Sequence, residues 1–261
     1  MQPRSLMRCI IALFALLSSG TLPVRAEEAR EMTVSAAMSL KTVLEDLGRR
    51  YQERGNAPRI IFNFGASGDL AAQIAAGAPV DVFVSAAPED MDRLESAGLV
   101  QKGTRRDIAS NTVVLIVPAR SKASITAFSG LARPEVRWIA LGDPRTSPAG
   151  RYADDVIRHA GIRELIQDRI VYAGNVRQIL DYVARGEVDA GIVYGTDALS
   201  RRKDVSVVAT APAGSHPAVV YPIAMLKGAR SETAAQDLIS FLVSRTASGI
   251  FRQYGFSVPA P

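Results

Sequence analysis

The apolar residues change period repeatedly along the chain. Met32-Thr33-Val34-Ser35-Ala36 has the character of a short buried strand, and Leu40, Val43, Leu44, Leu47 and Tyr51 then recur at the spacing of an amphipathic helix. The pattern returns at once: Ile60 to Phe64 predicts a strand, Leu70 to Ala76 a helix, Val80 to Ser85 a strand and Pro88 to Ala97 a helix. Strands that alternate with helices through short loops predict a mainly parallel sheet with helices on both faces.

Ser110 to Pro118 predicts the next strand, followed by a strand at Trp138 to Leu141 and a helix from about Ala149 to His159. A strand near Ile170, a helix from Val176 to Arg185 and a strand from Ala190 to Tyr194 complete a second α/β unit. Val205 to Thr210 and Val219 to Leu226 are extended, Glu232 to Ser244 is an amphipathic helix, and Ile250 to Phe256 ends the fold. If the strands near Asn111 and Tyr221 are the two crossings, residues 27–109 with 222–261 form lobe one and residues 110–221 form lobe two. A single doubly wound domain of this length is the alternative.

The first residues change the picture of where such a protein works. Arg4 and Arg8 precede an apolar run from Cys9 to Leu17 and a small-residue site, Val24-Arg25-Ala26, which predicts a secretory signal peptide over residues 1–26. The run is about half the roughly 20 residues that span a bilayer, so a permanent anchor is the weaker reading. Cys9 is the one cysteine and lies inside this segment, so the mature chain is expected to lack thiol, disulfide and lipid anchor. Loss of Arg4, Arg8 and Arg25 takes the formal charge from +5 to +2, which leaves neither the basic excess nor the basic tract expected of a nucleic-acid binder.

In parallel α/β sheets ligands bind beyond the carboxyl ends of the strands, which directs attention to the strand-to-helix junctions. The first is Ala36-Ala37-Met38-Ser39-Leu40, with Ser39 at the expected helix N-cap, and the second is Phe64-Gly65-Ala66-Ser67-Gly68, with Ser67 at the start of the next helix. Two hydroxyls beside two helix N-termini can bind an anion without a cation, although serine is also an ordinary capping residue. Further junctions are Gly142-Asp143-Pro144 leading to Ser147-Pro148-Ala149-Gly150, then Gly174-Asn175-Val176-Arg177, and Gly191 to Gly195 around Tyr194. Each can offer a backbone N–H or, from Tyr194, a phenol hydroxyl, and Tyr194 can equally be a core residue with a satisfied hydroxyl.

Taken together, VSAAMSLKTVLEDL (34–47), FNFGASGDLAAQIAAGAPVDVFVSA (62–86), ALGDPRTSPAGRYA (140–153), NVRQIL (175–180), DAGIVYGTDA (189–198) and IFRQYGFSV (250–258) resemble the molybdate-binding proteins of bacterial ABC importers. The segments run in family order over nearly all of residues 31–258. The resemblance implies a two-lobed type II periplasmic binding protein fold with the ligand cleft between the lobes. It also implies a periplasmic, non-enzymatic, monomeric receptor that captures molybdate or tungstate and delivers it to an inner-membrane permease, with no cofactor. It assigns the oxyanion to Ser39, Ser67, Ala149, Val176 and Tyr194, with no direct ligand to the metal ion itself. This chain departs from the pattern at Ala66 and Gly68, where a relative can carry serine. Asp69, in the first turn of the same helix, must face away from a dianion.

Rival chemistries have less support. The two histidines, His159 and His216, stand outside any catalytic motif, and no G-x-S-x-G elbow is present. Ser200 to Lys203 matches S-x-x-K without its partner motifs. A cation receptor would want clustered His, Asp, Glu or Cys, whereas the acid pairs Glu45-Asp46 and Asp154-Asp155 fall on predicted helices beside Lys or Arg. A receptor of the same fold for sulfate, phosphate or an organic acid stays open. A monocarboxylate would call for an arginine clamp, for which Arg177, Arg145 and Arg151 are the arginines nearest the junctions.

Overall fold

A computed structural model describes residues 31–55, 57–121 and 125–259. The signal peptide expected at residues 1–26 lies outside these residues.

The first half alternates as its hydrophobic pattern predicts: β1 (Glu31–Ala37), α1 (Lys41–Gln52), β2 (Arg59–Gly65), α2 (Ser67–Ala75), β3 (Val82–Val84) and α3 (Pro88–Ser96). α1 buries Val43, Leu44, Leu47 and Tyr51 on one face, the stripe that the three-and-four spacing creates. β4 (Arg106–Asn111) follows, and β5 (Val113–Pro118) begins after a single intervening residue. The second half runs through β6 (Ile139–Gly142), α4 (Pro148–His159), a short α5 (Arg163–Ile166), β7 (Ile170–Ala173), α6 (Val176–Ala184), β8 (Ala190–Tyr194), α7 (Gly195–Ser200) and β9 (Val205–Thr210). β10 (Val219–Met225), α8 (Glu232–Leu242) and α9 (Arg245–Gln253) close the chain.

Among the described residues the strands form two five-stranded sheets, ordered β2-β1-β3-β10-β4 and β7-β6-β8-β5-β9. In each, four strands run in one direction and the fifth, β10 in the first sheet and β5 in the second, runs against them and pairs antiparallel with a neighbour on each side. Both sheets are therefore mixed, with one strand in each reversed within the mainly parallel arrangement that the alternation predicts. The reversed strands, β5 and β10, are the first that the chain forms after each crossing, so each enters its new sheet from the opposite end.

The run Ser110 to Pro118, expected as one strand, is two strands in different sheets. The break is at Thr112, whose N–H donates to Asn111 Oδ1 (2.9 Å) and whose carbonyl accepts from Gly195 N–H (2.9 Å). A side chain that captures the next backbone N–H takes it out of the ladder and lets the chain turn from one sheet to the other. The chain returns to the first sheet at Val219, so residues 110–111 and 219–221, assigned to lobe two from the sequence, belong to the sheet of lobe one. The first of the residues expected simply to end the fold, Ile250 to Gln253, form the last turn of α9 (Arg245–Gln253), where the Ser244 hydroxyl caps Ala247 N–H and Ala247, Ile250 and Phe251 are buried at helical spacing.

Candidate functional site

The carboxyl ends of β1, β2 and β3 in one sheet and of β6, β7 and β8 in the other face a common cavity. From lobe one its lining comprises Ala37, Met38, Ser39, Gly65, Ala66, Ser67 and Ala86, and from lobe two Ser147, Pro148, Ala149, Asn175, Val176 and Tyr194. All five residues singled out from sequence lie on this wall. The lining contains no Lys, Arg, His, Asp or Glu. The cavity leaves about 20 Å³ for the centre of a water-sized group, against roughly 10–15 Å³ needed by one water. In this arrangement it suits one compact ligand.

Each donor reaches the cavity for a local reason. Ser67 is the first residue of α2, and the N-cap is Ala66, so its hydroxyl does not cap the helix. Instead Ser67 Oγ accepts from Ala86 N–H at 3.0 Å, and with an acceptor position filled, its own hydrogen is left to donate. Ser39 is also not the N-cap expected of it: it sits inside a short 3-10 turn, Met38–Leu40, that opens α1, and no side-chain cap is present there. Its Oγ lies 3.2 Å from the Tyr221 hydroxyl. The explanation of both serines as helix caps is thus removed, because the N-cap positions are held by Ala37 and Leu40 on either side of Ser39 and by Ala66 before Ser67, and none of these helix starts has a side-chain cap bond.

In lobe two, Pro148 begins α4 and has no N–H, so Ala149 carries the first donor of that helix. At α6 the Asn175 side chain caps the amides of Arg177 (3.1 Å) and Gln178 (3.2 Å). The amide of Val176, the first helical residue, has no partner within the helix and stands on the cavity wall. Tyr194 ends β8 with its ring buried, and its hydroxyl has no hydrogen-bond partner. A phenol left unpaired in a buried site costs stability, so a ligand acceptor there is worth more than elsewhere. Burial pushes its pKa well above the ordinary tyrosine range, so it stays a donor.

The lobes meet around this cavity. Gly68 N–H donates to Thr146 O at 2.9 Å across the cleft, and a Cβ at Gly68 would lie 3.0 Å from both Cα and the carbonyl carbon of Thr146 and closer still to its oxygen. Glycine at this position, one of the departures noted above, is what lets the two backbones touch. Alongside, Arg151 of α4 pairs at 2.7 Å with the buried carboxylate of Asp90 on α3, which also pairs with Arg93. Asp69 faces solvent.

The arginines weighed as a clamp are engaged elsewhere. Arg145 pairs with Asp143 (2.6 Å), Arg151 with Asp90, and Arg177 reaches Ser200 Oγ at 3.5 Å. Neither serine has an activating base among its hydrogen-bond partners. His216 packs on the Tyr152 ring (5.5 Å), and Ser200 of the S-x-x-K match donates to Asp197 O at 2.7 Å. Among the described residues no group of three or more His, Cys, Asp or Glu comes together.

Sequence reasoning left Ser147 out of the donor set, although its hydroxyl-bearing side chain lines the cavity immediately before Pro148. That Ser-Pro start of a helix was a usable signal. Tyr221 and Asn111, which stand behind Ser39, carried no comparable mark.

Two α/β lobes that close on a small pocket of neutral hydrogen-bond donors define a ligand-capturing binding protein. Residues 32–257 match the bacterial extracellular solute-binding proteins, and the chain belongs to that family. It is 37% identical over 245 residues to the putative ABC transporter substrate-binding lipoprotein YvgL of Bacillus subtilis, with 94% of this chain and 93% of the relative covered. It is 34% identical over 246 residues to the molybdate-binding protein ModA of Haemophilus influenzae, covering 93% and 96%. The solved substrate-binding domain of a putative molybdenum ABC transporter from Clostridium difficile superposes with a TM-score of 0.68 at 31% identity, covering 88% of this chain and 99% of the other.

Proposed function

We propose that the chain is the substrate-binding protein of an ABC importer, capturing molybdate or tungstate in the periplasm and handing it to a membrane permease without chemical change. The observation that carries this reading is the cavity itself, small and uncharged, with the buried hydroxyl of Tyr194 unpaired on its wall. A tetrahedral oxyanion fully ionised at neutral pH accepts hydrogen bonds and donates none. Backbone N–H groups at Ala149 and Val176 and hydroxyls of Ser39, Ser67 and Tyr194 match that demand from both lobes. Because donors come from both sides, the ligand stabilises the closed arrangement over the open one, and closure is the signal a permease can read.

The cavity discriminates by size. An anion too small to reach every donor leaves buried N–H or O–H groups unpaired, each at about 1–3 kcal/mol. The protein needs no resident cofactor for this task and works as a monomer. The test is a calorimetric titration of ligand-free mature protein with molybdate, tungstate, sulfate and phosphate. Tight binding of the first two with much weaker sulfate binding is expected. Sulfate binding without molybdate or tungstate binding overturns the reading.

A further inference from the structure

We propose that Asn111 and Tyr221, neither of which lines the cavity, fix the Ser39 hydroxyl as a donor toward the bound oxyanion through a one-way hydrogen-bond relay. The proposal rests on the oxyanion reading above and extends it to the residues that set the polarity of one donor.

The direction of the relay follows from the amide of Asn111. Its Oδ1 accepts the backbone N–H of Thr112 at 2.9 Å, a donor that cannot be reversed. The other half of the amide is therefore the NH₂ group, and a flipped amide would set that group against the Thr112 N–H. Nδ2 spends its two hydrogens on Thr196 Oγ1 (2.9 Å) and on the Tyr221 oxygen (3.1 Å). Tyr221, fully buried at 0% exposure, thus already accepts a hydrogen bond, and it has one hydrogen to give. The acceptor within reach is Ser39 Oγ at 3.2 Å. Once Ser39 accepts from Tyr221, its own hydrogen is released from the network and points to the cavity that Ser39 lines.

Ser67 receives the same treatment from a simpler source, the rigid Ala86 N–H. A hydroxyl can otherwise turn and act as an acceptor, which an oxyanion would meet as repulsion. Feeding each serine with a donor from behind removes that freedom before the ligand arrives. The relay also begins where the chain crosses between the sheets, and Asn111 ties Tyr221 of β10 to Thr196 of α7 in the other lobe. Formation of the donor at Ser39 is therefore tied to the seating of the two lobes.

Tyr221 is a positioning residue in this scheme, and its test is a double-mutant cycle read on molybdate affinity. Wild type, Ser39→Ala, Tyr221→Phe and the double variant are titrated calorimetrically, with the melting temperature of each ligand-free protein recorded. Tyr221→Phe is expected to weaken binding about five- to tenfold, the weight of one hydrogen bond. In the Ser39→Ala background the same change is expected to have no further effect on affinity. Asn111→Asp puts an acceptor where the relay needs a donor, draws the Tyr221 proton back and should weaken binding at least as much. Should that variant fail to fold, the cycle still decides. Wild-type affinity in Tyr221→Phe, or a double variant whose loss is the product of the two single losses, overturns the relay alone. A wild type without molybdate affinity overturns the oxyanion reading and the relay with it.

Discussion

Replacing Gly68 by alanine tests whether the closed seating of the lobes controls affinity. The backbone at this position is ordinary helix, so a methyl group is acceptable to α2 itself. The obstacle stands in the other lobe, where the new Cβ would come 3.0 Å from Cα and the carbonyl carbon of Thr146 and nearer to its oxygen, against an ordinary contact of 3.4 Å or more. Relief requires the lobes to part there by about 0.5–1 Å. The Gly68 N–H···O Thr146 bond, 2.9 Å in the structure, is then lost, and the donors at Ala149, Val176 and Tyr194 retreat from a ligand held by Ser39 and Ser67. A hydrogen bond stretched by that amount passes out of the effective range. With about 1.5–3 kcal/mol for a bond to a charged group, loss of one weakens binding roughly tenfold to hundredfold. Calorimetric titration with molybdate measures the effect, and the melting temperature of the ligand-free protein reports whether either lobe has suffered. Unchanged affinity would refute the reasoning, and so would a lowered melting temperature that accounts for the whole loss.

Three further changes probe other parts of the structure. Tyr194→Phe removes a hydroxyl with no partner, so ligand-free stability should hold or rise while molybdate affinity falls about tenfold to hundredfold; a destabilised protein with unaltered affinity would contradict this. Arg151→Gln leaves Asp90 paired only with Arg93 and removes an ion pair between the lobes. With Arg151 partly exposed, a loss of about 1 kcal/mol and a few-fold in affinity is expected, larger at low salt, and titrations at two ionic strengths would show it. Asp197 is buried, and neither oxygen has a hydrogen-bond partner of good geometry. Burial pushes its pKa from 3.8 up to about 7, opposed in part by the Arg177 guanidinium and the Tyr194 backbone. The folded protein then holds a proton that the unfolded chain releases, so stability falls as pH rises from about 4 to about 7 and levels off above. Asp197→Asn should flatten that slope in denaturant titrations across the window; an unaltered slope would show that another group causes it.

The α/β alternation was legible because its stripes are strong. Val43, Leu44, Leu47 and Tyr51 can be read as a helix face without knowing what they touch. The strand-end rule then picked out Ser39, Ser67, Ala149, Val176 and Tyr194, which the structure gathers on one wall. Their local roles were less legible. Serine before a helix suggests a cap, and only the position of Ala37 and Ala66 as N-caps shows that both hydroxyls are free for other work. The break at Thr112 left no mark in SNTVVLIVP, since a β-branched residue among apolar ones suits an unbroken strand, and the turn comes from Asn111 and Gly195 acting in three dimensions. Tyr221 stands 182 residues from Ser39, and Arg151 stands 61 from Asp90. Pairings of that range are set by how the lobes seat, which no local window contains.

A crystal structure of the protein grown with molybdate, with anomalous scattering recorded at the molybdenum edge, tests the central claim most directly. The expected result is one peak in the cavity between the lobes, its oxygens within hydrogen-bond distance of Ser39, Ser67, Ala149, Val176 and Tyr194 and no Lys or Arg in contact. A peak in the open groove beside Arg106, Arg245 and Arg252, with the inter-lobe cavity empty, would contradict it.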